Sequence, residues 1–309
     1  MPTVNILTED FAGMKSQAIG LAERAGFAKN FCLLKPKPLW KLISAPYWPF
    51  PLKGVEPFCL GNSFINLSVG SVGGVVNAAL QTNSTPKIHI QNPRISVTKF
   101  DLVIAQPHDH LYGSNVLISR NAIHKISPHV LSENKKKWFL KLKRPDKPIV
   151  SVLIGGNNGR FRLAFSEAEL ICNQLKKLIN QEGISLLLTP SRRTNPKIIA
   201  LFKEKLAPLG AYIWDGNGEN PYLGFLACAD LILVTIDSVS MISEAIATQA
   251  PVMIIPLPGK SKRIFAFIQS LIGLKRIKIF NGDFVSWNVS PLDDTEEIVY
   301  QVKKRLNIF

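Results

Sequence analysis

Where the apolar run LILV (231–234) breaks off, the chain continues through Thr235, Asp237, Ser238 and Ser240 into a helical pattern that carries Glu244 about one turn inside it. Hydroxyls and unpaired amides at a helix start, backed by the positive end of the helix dipole, suit a bound phosphate. A carboxylate beside such a site suits another task, accepting hydrogen bonds from two sugar hydroxyls. Asp237, Ser238 and Ser240 are therefore expected around a phosphate, with Glu244 on the sugar. The competing reading makes Ser240 and Glu244 surface residues of an amphipathic helix.

Three more polar clusters follow apolar runs in the same way. In LIGGNNGRFR (153–162), Gly155 and Gly156 allow backbone amides to approach an anion closely, Asn157 continues the turn and Arg160 adds charge. In LTPSRRTNP (188–196), Ser191, Arg192 and Arg193 combine a hydroxyl with two guanidinium forks that match phosphate oxygens. In DGNGENPY (215–222), Asn220 stands on the same rim. The ordinary alternatives are a flexible turn, a solvated charged loop and a helix cap.

The first half offers fewer groups. TEDFAG (8–13) supplies Glu9 and Asp10, and AQPHDHLYGSNV (105–116) supplies His108 and Asp109. These are candidates for accepting a proton from an attacking hydroxyl or for positioning it. The His-Asp-His triplet is not expected to hold metal, because adjacent residues rarely converge on one ion and no further cluster accompanies it. Asp293-Asp294 lies near the C-terminus at what reads as a helix start, out of place for gripping a metal-bound diphosphate.

Strands that end at these clusters read at VNIL (4–7), INLSVG (65–70), KIHIQ (87–91), DLVIAQ (101–106), IVSVLIGG (149–156), ISLLLT (184–189), AYIWD (211–215), LILVT (231–235) and PVMIIPL (251–257). Helical patterns alternate with them, including 16–27, 166–181, 196–206, 221–229 and 240–249, plus 75–81 after a Gly73-Gly74 turn. That rhythm predicts α/β architecture: two tandem Rossmann-like doubly wound domains, each with ligand positions at the carboxyl ends of its strands. The basic stretch 133–147 reads as a lead into a linker. The expected domains are residues 1–145 and 146–309, with a C-terminal helix free to pack back on the first.

The 309 residues are 46% hydrophobic and 19% charged, enough for two cores and against disorder. No run is long and apolar enough to span a bilayer, and MPTVNILTED lacks the pattern of a signal peptide. The four cysteines show no paired spacing, so a reducing, cytoplasmic setting is expected. Lys and Arg total 37 against 22 Asp and Glu, a net +15 that calls for an anionic partner. No zinc-finger or RNP pattern supports nucleic acid. The segment 35–58 holds six prolines, with Trp40, Tyr47, Trp48 and Phe50 among Lys35, Lys37, Lys41 and Lys53. It is expected either to dock on an anionic membrane or to cover the first sheet with its aromatics inward.

Taken in order, ILTEDFAGMKSQAIGLA, IHIQNPR, DLVIAQPHDHLYGSNV, LIGGNNGR, TPSRRTNP, GNGENPY, CADLILVTIDSVSMISEA and APVMIIP resemble the mitochondrial-fission "elongated mitochondria" family, whose bacterial members are regarded as glycosyltransferases. The resemblance covers most of the chain; 35–60 and the C-terminal tail match least. Met14 departs from the histidine that usually follows the glycine of that family's first loop.

The resemblance implies a GT-B fold, its two domains facing a central cleft. DSVSMISEA is similar to the serine-rich turn and following helix of the peptidoglycan N-acetylglucosaminyltransferase, which implies that Glu244 holds a nucleotide ribose. The implied activity is metal-independent transfer from a nucleotide sugar, bound as substrate with no separate cofactor, to a lipid-linked or lipopolysaccharide-type acceptor. The site implied is on the cytoplasmic face of a membrane, with the protein peripheral. Because plant members recruit fission machinery, the resemblance equally allows a non-catalytic membrane-associated adaptor. A sugar-nucleotide epimerase is a third outcome of the same architecture.

Overall fold

A computed structural model describes residues 2–81, 85–142 and 147–308. The chain divides into two compact units, Met1–Lys125 with Asp293–Phe309, and Ile126–Leu292.

The first unit holds β1 (Thr3–Thr8), α1 (Ala12–Ala25), β2 (Ala28–Leu33), β3 (Ile65–Val69), α2 (Gly70–Ala79), β4 (Lys87–Ile90), β5 (Leu102–Ala105) and β6 (Val116–Ile118). The strands form one parallel sheet in the order β2-β1-β3-β4-β5-β6. Every residue of β3 is buried, as strands covered on both faces require. The edge strands β2 and β6 escaped the sequence reading because only one face of each is covered; in β2 the burial alternates along AKNFCL.

Gly73 and Gly74 were expected as a turn and instead lie inside α2. A Cβ on Gly73 would stand 2.6 Å from the Leu7 carbonyl oxygen, and one on Gly74 2.9 Å from the His89 ring. The glycines are there because this helix lies against the sheet more closely than a side chain allows. Beneath it runs a buried polar band. Asn30 donates to Asn5 (2.7 Å) and Asn5 to Asn66 (3.1 Å), while Ser68 pairs with His89 Nδ1 at 2.9 Å. Complete burial pushes His89 down to about 3, so it is neutral.

Residues 35–58 form a strap of short 3-10 turns, closed by an antiparallel bridge between Pro36 and Val55. Trp48 is only 6% exposed; it packs edge-on to Trp40 and donates to the Trp40 and Ile43 carbonyls. With Ala45 and Val55 it joins the core formed by Val72, Val75 and Val76 of α2. The expectation that Trp48 faces a membrane is therefore corrected: its indole N–H needs the carbonyls that the strap provides.

The second unit holds α3 (Pro128–Leu142), β7 (Ile149–Ile154), α4 (Phe165–Glu182), β8 (Ser185–Pro190), α5 (Pro196–Leu206), β9 (Tyr212–Ile213), α6 (Tyr222–Cys228), β10 (Leu231–Thr235), α7 (Val239–Ile246), β11 (Val252–Ile255), α8 (Lys262–Gly273) and β12 (Ile277–Ile279). Its parallel sheet runs β12-β11-β10-β7-β8-β9. The switch point, where the winding reverses, lies between β7 and β10.

The expected boundary at Pro145 and Asp146 lies outside the described residues. Residues 133–142 are not a linker. α3 belongs to the second unit, where Trp138 packs with Leu142, Phe225 and Cys228 and leans on Gly224 of α6. Its lysines hid a helix whose apolar face is this narrow. The last helix, α9 (Thr295–Arg305), belongs to the first unit. Ile298, Val299 and Val302 enter the core with Ala18 and Leu21 of α1, while Asp293 pairs with Arg24 at 2.9 Å. Among the described residues no helix is long and apolar enough to cross a membrane.

Candidate functional site

β7 and β10 flank the switch point, so their carboxyl ends are where this topology places a ligand. The loops leaving them are tied to each other. The Gly155 N–H donates to Thr235 Oγ1 at 2.7 Å, and Thr235 donates to Asp237 Oδ1 at 2.6 Å. The Gly156 N–H donates to Asp237 Oδ2 at 3.2 Å, and Arg193, from the loop after β8, pairs with the same oxygen at 2.7 Å. Asp237's side chain has no exposure, whereas Arg193 is 40% exposed. Both glycines earlier read as anion-facing thus donate inside the protein, to a hydroxyl and to the chain's own carboxylate. A Cβ on Gly155 would lie 2.1 Å from Asp237, and one on Gly156 2.1 Å from the Arg193 carbonyl oxygen, which accounts for both residues.

The neighbouring candidates also shape loops. The Asn157 side chain accepts from the Leu163 N–H at 2.8 Å, and Asn158 donates to the Asp237 carbonyl at 3.1 Å. Ser191 accepts from the Arg193 N–H at 3.2 Å. Asn220 accepts from the Tyr222 N–H at 2.9 Å, an Asx turn that leads into α6, whose N-cap is Pro221. Arg160 and Arg192 are exposed and make no ion pair among the described residues, so they remain available to an anion.

α7 starts at this network. Ser238 is its N-cap, its hydroxyl accepting from the Met241 N–H at 3.4 Å; Ser240 lies half-buried in the first turn. The first-turn amides have no intrahelical acceptor. Glu244 is only 7% exposed, so it is not a surface residue of an amphipathic helix. Tyr222, the first residue of α6, donates its hydroxyl to Glu244 Oε2. Burial first, and the Glu244 carboxylate second, hold the Tyr222 phenol well above its ordinary range, so it stays a donor.

The far end of α7 is held by a residue the sequence reading missed. Arg276, 4% exposed, donates to the carbonyls of Ile246 (2.9 Å), Thr248 (2.9 Å) and Ala250 (3.1 Å). Burial pulls its guanidinium down to about 10. Tyr222 was missed as well. Its signal was a tyrosine opening a helix directly after a strand-end loop; Arg276, between Lys275 and Lys278 in LKRIKIF, had none, because it reads as one more surface charge.

In the first unit the switch point lies between β1 and β3, and Glu9 follows β1. Burial holds its carboxyl above the ordinary range, against the opposing pull of Lys41. Asp10 is exposed and paired with Lys15. His108 and Asp109 sit in a 3-10 turn after β5. Asp109 accepts from the Gln106 N–H at 3.2 Å, completing a capping box, so this carboxylate holds the turn. β1 and β5 are three positions apart in the sheet, about 14 Å at the usual strand spacing. The structure therefore does not join Glu9 and His108 into one acid–base pair. The Met14 side chain lies over Gly70 at the start of α2. Among the described residues no three His, Cys, Asp or Glu gather as a metal centre.

Two Rossmann-like doubly wound domains in tandem, each with its polar loops at the carboxyl ends of parallel strands, define a GT-B type fold. The family model for mitochondrial fission ELM1 matches residues 12–306, and the chain belongs to that family. It is 30% identical over 246 residues to mitochondrial fission protein ELM1 of Arabidopsis thaliana, a match that takes in 71% of this chain and 57% of that one. An uncharacterized protein of Rickettsia prowazekii (strain Madrid E), RP120, is 31% identical over 170 residues, 52% of this chain and 48% of the other. The chain thus spans about half the length of these relatives.

Among solved structures, S. aureus MnaA in a co-structure with UDP aligns over 99% of this chain and 98% of its own, with a TM-score of 0.58 at 14% identity. The glycotransferase of kitacinnamycin gives 0.56 at 11% identity, over 99% and 93%. E. coli ADP-heptose LPS heptosyltransferase II gives 0.50 at 11%, over 99% and 98%. At these identities the likeness concerns the fold.

Proposed function

We propose that the chain binds a nucleotide sugar at the carboxyl ends of β7, β8 and β10, and transfers the sugar without a divalent metal to a lipid-linked or lipopolysaccharide-type acceptor. The observation that carries this reading is Glu244, a carboxylate held by a tyrosine hydroxyl on the helix that opens at the switch point. Such a carboxylate suits two hydroxyls of a ribose. The first-turn amides of α7, Ser238, Ser240, Arg160 and Arg192 are the donors for a diphosphate, and they stabilise its charge as it departs. Of the first unit's groups, Glu9, its pKa raised by burial, is the one with the basicity to accept the acceptor's proton. A lipid-borne acceptor puts the protein at a membrane surface, on the cytoplasmic side.

A second reading, a non-catalytic adaptor on the same fold, is favoured by two specific observations. Asp237 already fills the anion-facing amide at Gly156, and Glu9 and His108 follow separated strands. Calorimetric titration with CMP, UDP, GDP, ADP and their sugars tests the first reading. One nucleotide should bind, and Glu244→Ala should weaken it by roughly 1–3 kcal/mol, the scale of hydrogen bonds to a charged group. If a folded protein binds none of them, the adaptor reading stands.

A further inference from the structure

The strap that buries Trp48 leaves a different set of side chains outside. Leu39 is 77% exposed, Leu42 83%, Tyr47 79% and Phe50 60%; Ile43 and Leu52 are exposed as well. All six fall within a loop closed at both ends by the bridge between Pro36 and Val55. The loop carries Lys37, Lys41 and Lys53, Lys35 lies just outside it, and no Asp or Glu occurs from Lys35 through Val55. Lys53 rests over the Phe50 ring at 5.1 Å. Next to these residues an apolar groove of about 180 Å³ opens between the strap and α2, lined by Pro46, Pro49, Pro51, Val75 and Ala78 with Lys99 among them.

We propose that this outer side of the strap is a docking surface for an anionic lipid bilayer: Leu39, Leu42, Tyr47 and Phe50 enter the headgroup boundary while Lys37, Lys41 and Lys53 meet acidic headgroups. The charge decides the occupant. Apolar and aromatic side chains mixed with lysines, with no carboxylate in the loop's own sequence and Glu9 beside Lys41 alone of the three, complement a surface that is apolar within and negative at its face. The turns are short and rich in proline, so the chain presents these groups without having to order itself on contact. The groove offers apolar walls to an acyl chain beside an exposed lysine. This inference builds on the membrane placement proposed above and is independent of sugar transfer. It fails by vesicle binding, the transfer reading by nucleotide binding.

The test uses the full chain with vesicles of phosphatidylcholine, alone or mixed with phosphatidylglycerol, in a co-sedimentation assay. Wild type should bind the mixed vesicles, fail on the neutral ones, and release as salt shortens the Debye length. Leu42→Ser, Tyr47→Ser and Phe50→Ser together should cut binding at least tenfold with an unchanged thermal midpoint. Lys37→Gln with Lys53→Gln should cut it by roughly 25-fold, at about fivefold per lysine. The matched charge change on α3, Lys135→Gln with Lys136→Gln, should cost much less. Hydrogen exchange of vesicle-bound wild type should show new protection over residues 39–52, a readout that depends on no variant's folding. Absence of binding to the acidic vesicles overturns the proposal. So does an equal loss from the α3 lysines, or protection confined to other segments.

Discussion

Replacing Asp237 by alanine tests whether the chain's own carboxylate organises the loops at the β7–β10 switch point. The change removes the acceptor for Thr235 at 2.6 Å, for the Gly156 N–H at 3.2 Å and for Arg193 at 2.7 Å. The first two donors are buried, and each costs about 1–2 kcal/mol when left without a partner. The Arg193 pair adds less than about 1 kcal/mol, because a side chain that is 40% exposed recovers water on release. Asp237→Ala should therefore lower stability by about 3–4 kcal/mol. Asp237→Asn keeps an acceptor oxygen and should cost about half of that. Urea denaturation followed by tryptophan fluorescence measures both, with Trp138, Trp214 and Trp287 reporting on the second unit. The same variants titrated with pyrophosphate show whether an anion takes the vacated place, since Asp237→Asn leaves the Gly156 amide and Arg193 beside a neutral group. A loss below about 1 kcal/mol for Asp237→Ala would refute the account, because two buried donors cannot lose their acceptor so cheaply.

Tyr222→Phe should weaken nucleotide binding less than Glu244→Ala, and the double variant should fall short of the summed losses. Additivity in calorimetry would mean that the tyrosine does not act through the carboxylate. Nucleotide affinity and any sugar transfer should survive EDTA; a strong loss on chelation contradicts metal independence. His89 has a folded pKa of about 3 against an ordinary 6.5, so the unfolded chain binds its proton first as pH falls. Its contribution should be complete above pH 6.5 and lost between 6.5 and about 3, at up to about 1.4 kcal/mol per pH unit. His89→Gln should flatten that part of the stability profile in urea titrations at stepped pH; an unchanged slope would assign the acid sensitivity to other groups.

The buried parallel strands were legible because burial on both faces writes continuous apolar runs such as IVSVLI and LILVT, and each run ends at the loop that carries polar residues. The edge strands β2, β6 and β12 and the helix α3 were not, since one-sided burial leaves mixed patterns that look like charged loops. At the site, position was legible and role was not. Asp237, Gly155, Gly156 and Arg193 do meet at the switch point, but with one another. Asp109 was picked for proton transfer and serves its own turn. A sequence shows which residues share a strand end; which donor takes which acceptor depends on loop geometry that spacing does not encode. Arg276 makes the same point, because its three carbonyls belong to the end of a helix some thirty residues earlier in the chain.

The return of α9 to the first unit bears on the order in which the protein is made. Ala18 and Leu21 of α1 leave the ribosome before the second unit is made, and Ile298, Val299 and Val302, which share their core, only after it. The whole stretch from Ile126 to Leu292 must be synthesised in between, and it can settle as a unit of its own during that time. The unit nearer the N-terminus is thus the one completed second, holding an uncovered apolar face until Arg24 and Arg120 can meet Asp293 and Asp294. Damage to the segment Asp293–Phe309 would therefore be felt in the domain that carries Glu9 and the lysine strap, and would spare the fold around Glu244.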